Sequence, residues 1–173
     1  IVTFQDDVQV GTGNINFLDD SQLNIADNAD IMGNIETDAP SQGTVNYLGN
    51  STVNGILGVS NDLKLVQLSG AAGKVVAFNQ NVNTDEMRFT ADGTATLASG
   101  ISVSGPITTT ANNQGNLTFL GNYTINQSIG DAGLALNTIN ANGPAGTTVT
   151  LLEDIYATNT NVNNGGTLLA LEP

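Results

Sequence analysis

Carboxylates are the side chains through which this sequence could do chemistry. Eight of them precede residue 43, in a stretch without lysine or arginine: Asp6, Asp7, Asp19, Asp20, Asp27, Asp30, Glu36 and Asp38. Carboxylate oxygens suit calcium, but neither an Asp-x-Asp-x-Asp-Gly loop nor a Gly-Gly-x-Gly-x-Asp repeat is present. A solvated acidic face is therefore the favoured interpretation, calcium binding by residues 6–38 stays open, and no metal ligand is assigned.

Paired carboxylates offer a second chemistry, glycoside hydrolysis, which needs two carboxyl groups about 5 to 9 Å apart across one groove. The sequence contains adjacent pairs such as Asp19-Asp20, Asp85-Glu86 and Glu153-Asp154. Neighbouring residues of a β-strand point to opposite faces, so these pairs are poor candidates. No catalytic residue is assigned.

Nucleophilic catalysis and phosphate binding find little support. The chain has no histidine and no cysteine, so the commonest general base and all thiol chemistry are missing. Residues 70–75 look like a phosphate loop, but Leu68 and Val75 replace its first glycine and its hydroxyl residue. Ser102 lacks the second glycine of a nucleophile elbow. We therefore predict a corner and a strand here, and no cofactor.

Composition limits the partners. The net charge is −13, from 16 acidic residues and only 3 basic ones, and such a surface repels nucleic acids and anionic lipids. The chain starts at Ile1, without a charged-then-apolar leader or a long apolar run, so neither a signal peptide nor a membrane span is expected within it. Abundant Asn, Thr, Gly and Ser favour strands and turns over helices.

The elements that position these residues follow a repeat. Residues 43–54 read GTVNYLGNSTVN and return at 115–126 as GNLTFLGNYTIN, a spacing of 72 residues. The flanking segments recur at 72 to 74 residues. We therefore predict one domain over 1–173, a fragment of a longer β-solenoid with a partial repeat at 1–42, a full repeat at 43–114 and a partial repeat at 115–173.

The full repeat contains nine short apolar runs. They predict an all-β, right-handed parallel β-helix with three coils of roughly 24 residues per repeat and three strands per coil, so that seven coils form a rod on the order of 35 Å long. An antiparallel sandwich fits the strand lengths but not the repeat, and a helical turn near Asn61 is a minor alternative. The predicted inward residues are Val45, Tyr47 or Leu48, Val53, Leu65, Val76, Phe78, Leu97 and Val103.

The repeat also makes a prediction about faces. Val45 should share a face with Leu117, and Phe78 with Leu151, each pair three coils or roughly 14 Å apart. Most aromatic residues align with aliphatic ones and are predicted to be core.

Two tyrosines align with polar residues instead of aliphatic ones. Tyr123 and Tyr156 align with Ser51 and Asn83, which predicts outward side chains and a candidate contact surface.

Three segments suggest a family. Residues 43–55, 139–150 and 154–162 resemble the passenger regions of rickettsial outer-membrane surface antigens. The resemblance implies a secreted β-helical autotransporter passenger that adheres to host cells and is held at the outer membrane by a C-terminal barrel outside this chain. It carries over no catalytic or binding residue.

The sequence therefore predicts a surface-displayed adhesin or display stalk rather than an enzyme, with a host cell-surface protein or glycan as partner. The alternatives are a β-helical polysaccharide-acting enzyme, whose carboxylates would line a groove, and a purely structural surface-layer segment. End-to-end self-association is also expected, because neither end reads as a polar cap. The apolar run at residues 167–171 predicts that the C-terminal coil is the end more prone to self-association. Association should increase with salt, because salt screens the repulsion between the acidic N-terminal coils.

Overall fold

The computed structural model describes residues 1–170, while residues 171–173 lie outside the described part. Within residues 1–170 the chain forms seventeen strands and no helix, and all pairings between these strands are parallel. The parallel β-solenoid is confirmed, and the sandwich and the helical turn near Asn61 are ruled out. The strands are β1 (Val2–Phe4), β2 (Val8–Phe17), β3 (Gln22–Ile25), β4 (Ile31–Thr37), β5 (Gln42–Tyr47), β6 (Ser51–Val53), β7 (Leu63–Leu68), β8 (Val75–Phe78), β9 (Met87–Phe89), β10 (Thr94–Leu97), β11 (Ile107–Thr109), β12 (Asn116–Phe119), β13 (Tyr123–Ile125), β14 (Leu136–Ala141), β15 (Thr148–Leu151), β16 (Ala157–Val162) and β17 (Thr167–Ala170).

The strands stack in three rows around one core, and we name these rows faces 1 to 3. Face 1 is the six-stranded sheet β1-β3-β5-β7-β9-β11, continued by single bridges at Ile129 and Ile155. Face 2 is the eight-stranded sheet formed by the even-numbered strands β2 to β16. Face 3 consists of the C-terminal halves of β2 and β4, bridges at Leu57, Val82 and Val103, and the sheet β13-β15-β17. The eight strands of face 2 correspond to eight coils rather than the predicted seven.

The coil is shorter than the sequence predicted. Val45, Val66, Met87 and Ile107 are successive register partners on face 1, so three coils take 62 residues instead of 72. The 72-residue repeat therefore covers three coils and one further face. Handedness stays a prediction.

This mismatch overturns the prediction about shared faces. Val45 lies in β5 on face 1 and Leu117 in β12 on face 2, whereas Phe78 lies in β8 on face 2 and Leu151 in β15 on face 3. All four side chains are nevertheless buried. The repeat thus relates core positions to core positions while advancing by one face, because inward and outward residues alternate in the same way on every face.

The core is a file of apolar side chains along the axis. Seven predicted inward residues are buried: Val45, Tyr47, Val53, Val76, Phe78, Leu97 and Val103. Leu48 is exposed and Leu65 only half-buried, so the alternative at Leu48 and the inward prediction for Leu65 were wrong. In β7 the inward phase shifts to Val66 and Leu68. Leu63 is buried as well, so the alternation of β7 changes phase by one residue between Leu63 and Val66.

Outward polar side chains also bond from coil to coil. On face 1 the Asn46 amide donates to Asn24 at 3.2 Å, and Gln67 donates to Asn46 at 3.3 Å. On face 2 Asn161 donates to Asn140 at 3.0 Å. Parallel strands in register bring such amides within hydrogen-bond reach of one another. The many asparagines therefore link the coils outside the core.

Tyr47 carries an unusual polar atom into the core. Its side chain is fully buried and its hydroxyl has no hydrogen-bond partner. The ring packs edge-on against Phe78, with centroids 5.8 Å apart. Burial raises the pKa of the phenol, so the group stays neutral. The buried, unpaired hydroxyl therefore costs stability.

Replacing Tyr47 with phenylalanine should raise the free energy of unfolding by about 1 to 3 kcal/mol, because it removes the unpaired hydroxyl and keeps the ring. Tyr123→Phe is the matched control, since the Tyr123 hydroxyl donates to the carbonyl oxygen of Ala98. That variant should lose about 0.5 to 1.5 kcal/mol. Urea unfolding measures both changes, and a Tyr47→Phe protein less stable than the wild type would contradict the assignment.

Candidate functional surface

Acidic residues near the N-terminus lie where successive coils meet. Oδ1 of Asp27 accepts the backbone N–H of Asn50 at 2.8 Å, and Oδ1 of Asp30 accepts that of Thr52 at 2.6 Å. Asp7 accepts the backbone N–H of Asp30 at 2.9 Å in the same way. Each carboxylate thus satisfies a backbone N–H of the next coil, which is a structural role.

The two lysines reach back across two coils. Lys64 forms an ion pair with Asp20, and Lys74 with Asp27. Hydrogen bonds from the lysines are the main reason why the pKa values of both aspartates are lowered. Both pairs are well exposed to solvent, so water screens them and they add little stability. Lys74, the lysine of the phosphate-loop-like segment, lies at the corner between β7 and β8, as predicted.

Among residues 1–170, no group of three or more His, Cys, Asp or Glu side chains is arranged to hold a metal ion. The same part of the chain has no helix long and apolar enough to span a membrane.

The predicted tyrosine surface is wrong at Tyr123. This side chain is buried, and its hydroxyl donates to the carbonyl oxygen of Ala98 in the preceding coil. Ser51, its repeat equivalent, is buried too and donates to the carbonyl oxygen of Ala29 at 2.7 Å. A hydroxyl at this position is satisfied by the backbone, so it does not need to face water. Tyr156 is half-buried.

A charged cluster interrupts the amide ladder of face 1 at the fifth coil. In β9 the inward side chains are Met87 and Phe89, so Arg88 between them and Glu86 before them both point outward. Nε of Arg88 donates to Oε1 of Glu86 at 2.9 Å, and Nη2 donates to Oε2. Thr108 in the next coil donates its hydroxyl to the same carboxylate. The three side chains form one hydrogen-bonded unit.

The Glu86 carboxylate is ionised within this unit. Partial burial alone would raise its pKa, but hydrogen bonds from Arg88 and Thr108, together with the charge of Arg88, outweigh that effect. The net result is a lowered pKa. Glu86 is therefore an acceptor at neutral pH.

A tight turn builds a wall beside the cluster. The backbone N–H groups of Asp131 and Leu134 donate to each other's carbonyl oxygens at 3.2 and 3.0 Å. At its base, the N–H of Gly130 donates to the carbonyl of Ile107 at 2.7 Å. The charged cluster forms the floor and this turn forms the wall of a cleft of about 360 Å³. The cleft is lined by Glu86, Arg88, Thr108, Thr109, Thr110, Asp131 and Leu134.

Sequence reasoning missed this cleft. Arg88 is the sole arginine and lies two residues after Glu86. This spacing places both side chains on one side of a strand and is the sequence signal that points to the cluster. The position of Asp131 beside this cluster depends on the number of residues in each coil, which the repeat did not provide. Of the adjacent carboxylate pairs, only Glu86 contributes to the cleft, and it does so without Asp85.

The lowered pKa of Glu86 predicts a pH-dependent difference in stability between the wild type and Glu86→Gln. The carboxylate contributes stability fully above its ordinary pKa of 4.5, and the contribution is lost as pH falls through the lower folded value. Because solvent screens the pair, we expect at most about 1 kcal/mol. Urea unfolding from pH 7 to pH 3 measures it, and a difference that grows on acidification would contradict the assignment.

Comparison of the chain with known protein families, with curated proteins and with solved structures finds no match. The resemblance to rickettsial passenger regions therefore stays a prediction that depends on the quoted sequence segments.

Proposed function

We propose that this solenoid is a surface-displayed passenger segment of an autotransporter, held at the bacterial outer membrane, and that it acts in adhesion to host cells or as a display stalk. The observation that carries the proposal is the single stack of eight parallel coils. Such a stack is a rod on the order of 35 Å long, and it grows by adding coils that contact only their neighbours. This geometry suits a segment that carries a contact surface away from a membrane.

The charge distribution supports display. All three basic side chains, Lys64, Lys74 and Arg88, are paired with carboxylates, while the net charge is −13. The surface therefore has a negative field that repels anionic lipid and neighbouring copies. A rod with this charge stands away from the membrane that carries it.

Adhesion is tested by coating beads with the purified chain and counting beads bound to cultured host cells. Beads coated with the same chain after heat unfolding are the control. Adhesion by the folded chain alone supports the adhesin, and equal counts contradict it.

The stalk is tested separately by duplicating residues 43–114. The added repeat should lengthen the rod by roughly 16 Å, because it adds three coils and one face at about 4.8 Å per coil. Small-angle scattering measures the maximum dimension, and an unchanged value contradicts the stalk.

Self-association belongs to the same proposal. The first coil exposes Ile1 and Leu18 at 87% and 70%, and the last described coil exposes Leu169 at 44%. Leu171, part of the predicted apolar run, lies outside the described residues. We expect sedimentation to show association that increases with salt as screening shortens the repulsion. Leu18→Lys and Leu169→Lys should each reduce it, and a chain that is monomeric at every salt concentration contradicts the prediction.

A second candidate function is polysaccharide cleavage. It is favoured by one observation, that the carboxylates of Glu86 and Asp131 line the same cleft. An ionised Glu86 would act as nucleophile or general base. Release of reducing ends from polysaccharides by the wild type, abolished in Glu86→Gln, would establish this function, and no release would remove it.

A further inference from the structure

We propose that the cleft between the Glu86-Arg88-Thr108 cluster and the Asp131–Leu134 turn binds a neutral saccharide. This inference rests on the proposed adhesive function and specifies the chemistry of its partner. The partner is a glycan, and the contact lies on one side of the rod at the fifth to seventh coils.

The floor of the cleft is a preorganised set of donors and acceptors. Arg88 has five N–H donors and uses two of them on Glu86, which leaves three for a ligand. The Glu86 carboxylate accepts those two and the Thr108 hydroxyl, which leaves about one of its four acceptor sites. The mutual hydrogen bonds hold the guanidinium and carboxylate in place before any ligand arrives, so less side-chain entropy is lost on binding.

The wall adds a second acceptor and an apolar contact. Oδ1 of Asp131 accepts the backbone N–H of Ala132 at 2.6 Å, which fixes the carboxylate and leaves Oδ2. The Leu134 side chain lines the same cleft and is 38% exposed. Gly130, at the base of the turn, packs so closely on the next coil that a Cβ there would lie 2.4 Å from the carbonyl oxygen of Tyr156. The wall is therefore held by the neighbouring coils.

Charge selects the ligand class. Glu86 and Asp131 repel an anion, and the net charge of −13 strengthens this effect. Arg88 and Glu86 neutralise each other as an ion pair, so Asp131 carries the net charge of the cleft. The free N–H groups of Arg88 need an acceptor, which an ammonium-type cation lacks. A neutral ligand with several hydroxyl groups avoids the repulsion of an anion and supplies both donors and acceptors. Its hydroxyls can meet the carboxylates and the guanidinium, and the C–H side of a sugar ring can contact Leu134.

Binding at one such open cleft should be weak, with a dissociation constant near the millimolar range. Display of many copies on one cell compensates, because linked sites bind with high effective concentration. A weak single site is therefore compatible with firm adhesion.

The test is an NMR titration of the ¹⁵N-labelled chain with three neutral probes, methyl α-mannopyranoside, methyl β-galactopyranoside and N-acetylglucosamine, and one anionic probe, N-acetylneuraminate. We expect at least one neutral probe to shift the amide signals of residues 86–88, 108–110 and 131–134. Arg88→Gln and Asp131→Asn should each weaken this binding about tenfold or more. Lys64→Gln, on the same face but outside the cleft, is the matched control and should bind as the wild type does.

Three results would overturn the proposal: no neutral probe shifts these signals, the anionic probe alone does so, or both cleft variants bind like the wild type while circular dichroism shows them folded. Bead adhesion separates this inference from the proposed function. Adhesion by the wild-type chain without any saccharide shift leaves the function standing and removes the cleft. Saccharide shifts without bead adhesion leave the cleft standing and remove the adhesive function.

Discussion

Phe78→Ala is expected to lower the free energy of unfolding by about 3 to 5 kcal/mol, the usual loss for a phenylalanine truncated inside a packed core. Phe78 is fully buried, pairs in register with Val53 and Leu97 in the coils on either side, and contacts the edge of the Tyr47 ring. Its removal would leave a cavity between three coils. Neighbouring strands cannot close that cavity without breaking their register, so the loss should fall in the upper part of the range.

Val75→Ala is the matched control, since Val75 lies in the same strand and is 39% exposed. It should cost well under about 1 kcal/mol because little apolar surface leaves the core. Equilibrium unfolding in urea measures both variants. A loss below about 1 kcal/mol in Phe78→Ala would mean that the phenylalanine is not a core residue in solution.

Gly58→Ala should be comparably damaging for a different reason. Gly58 has φ of 72°, and a Cβ there would lie 2.3 Å from the carbonyl oxygen of Asn83 in the next coil. The left-handed backbone costs an alanine roughly 1 to 2 kcal/mol, and the forced displacement of a packed strand adds roughly 1 to 3 kcal/mol. Together we expect a loss of about 2 to 5 kcal/mol.

Gly73→Ala separates the cost of the left-handed backbone from the cost of the clash with the next coil. Gly73 also has a positive φ, 84°, but no heavy atom lies within 4 Å of the position its Cβ would take. This variant should therefore lose only the backbone term, roughly 1 to 2 kcal/mol. Thermal and urea unfolding of both variants give the difference. Equal losses would show that contact between coils at Gly58 adds nothing.

Alternation in the sequence predicted the core well. Val45, Val53 and Phe78 were placed inward and are buried, because inward and outward positions follow directly from strand geometry. The parallel arrangement also followed from the repeat. What the pattern could not supply was the coil length, since a strand on face 1 and a strand on face 2 obey the same alternation and the same corner chemistry.

The candidate site was not predicted because the sequence pattern did not give the number of residues in each coil. Arg88 and Asp131 are 43 residues apart, and only the observed stacking places them beside one cleft. The prediction of an outward Tyr123 was wrong for another reason. Its hydroxyl is satisfied by a backbone carbonyl inside a corner. A polar residue at an aligned position indicates solvent contact only where the backbone offers no partner, and at Tyr123 a backbone carbonyl is that partner.

The step of one face per repeat has a consequence for how a longer array would look from outside. A surface feature carried by every 72-residue repeat would reappear a third of a turn further around the rod and roughly 16 Å further along it. The copies would trace a screw, and a given side would show the feature again only after three repeats, roughly 48 Å away. A flat partner lying along the rod would therefore meet every third copy. Small separate ligands approaching from all directions would reach every copy, so this geometry favours many independent contacts around the rod over one extended interface.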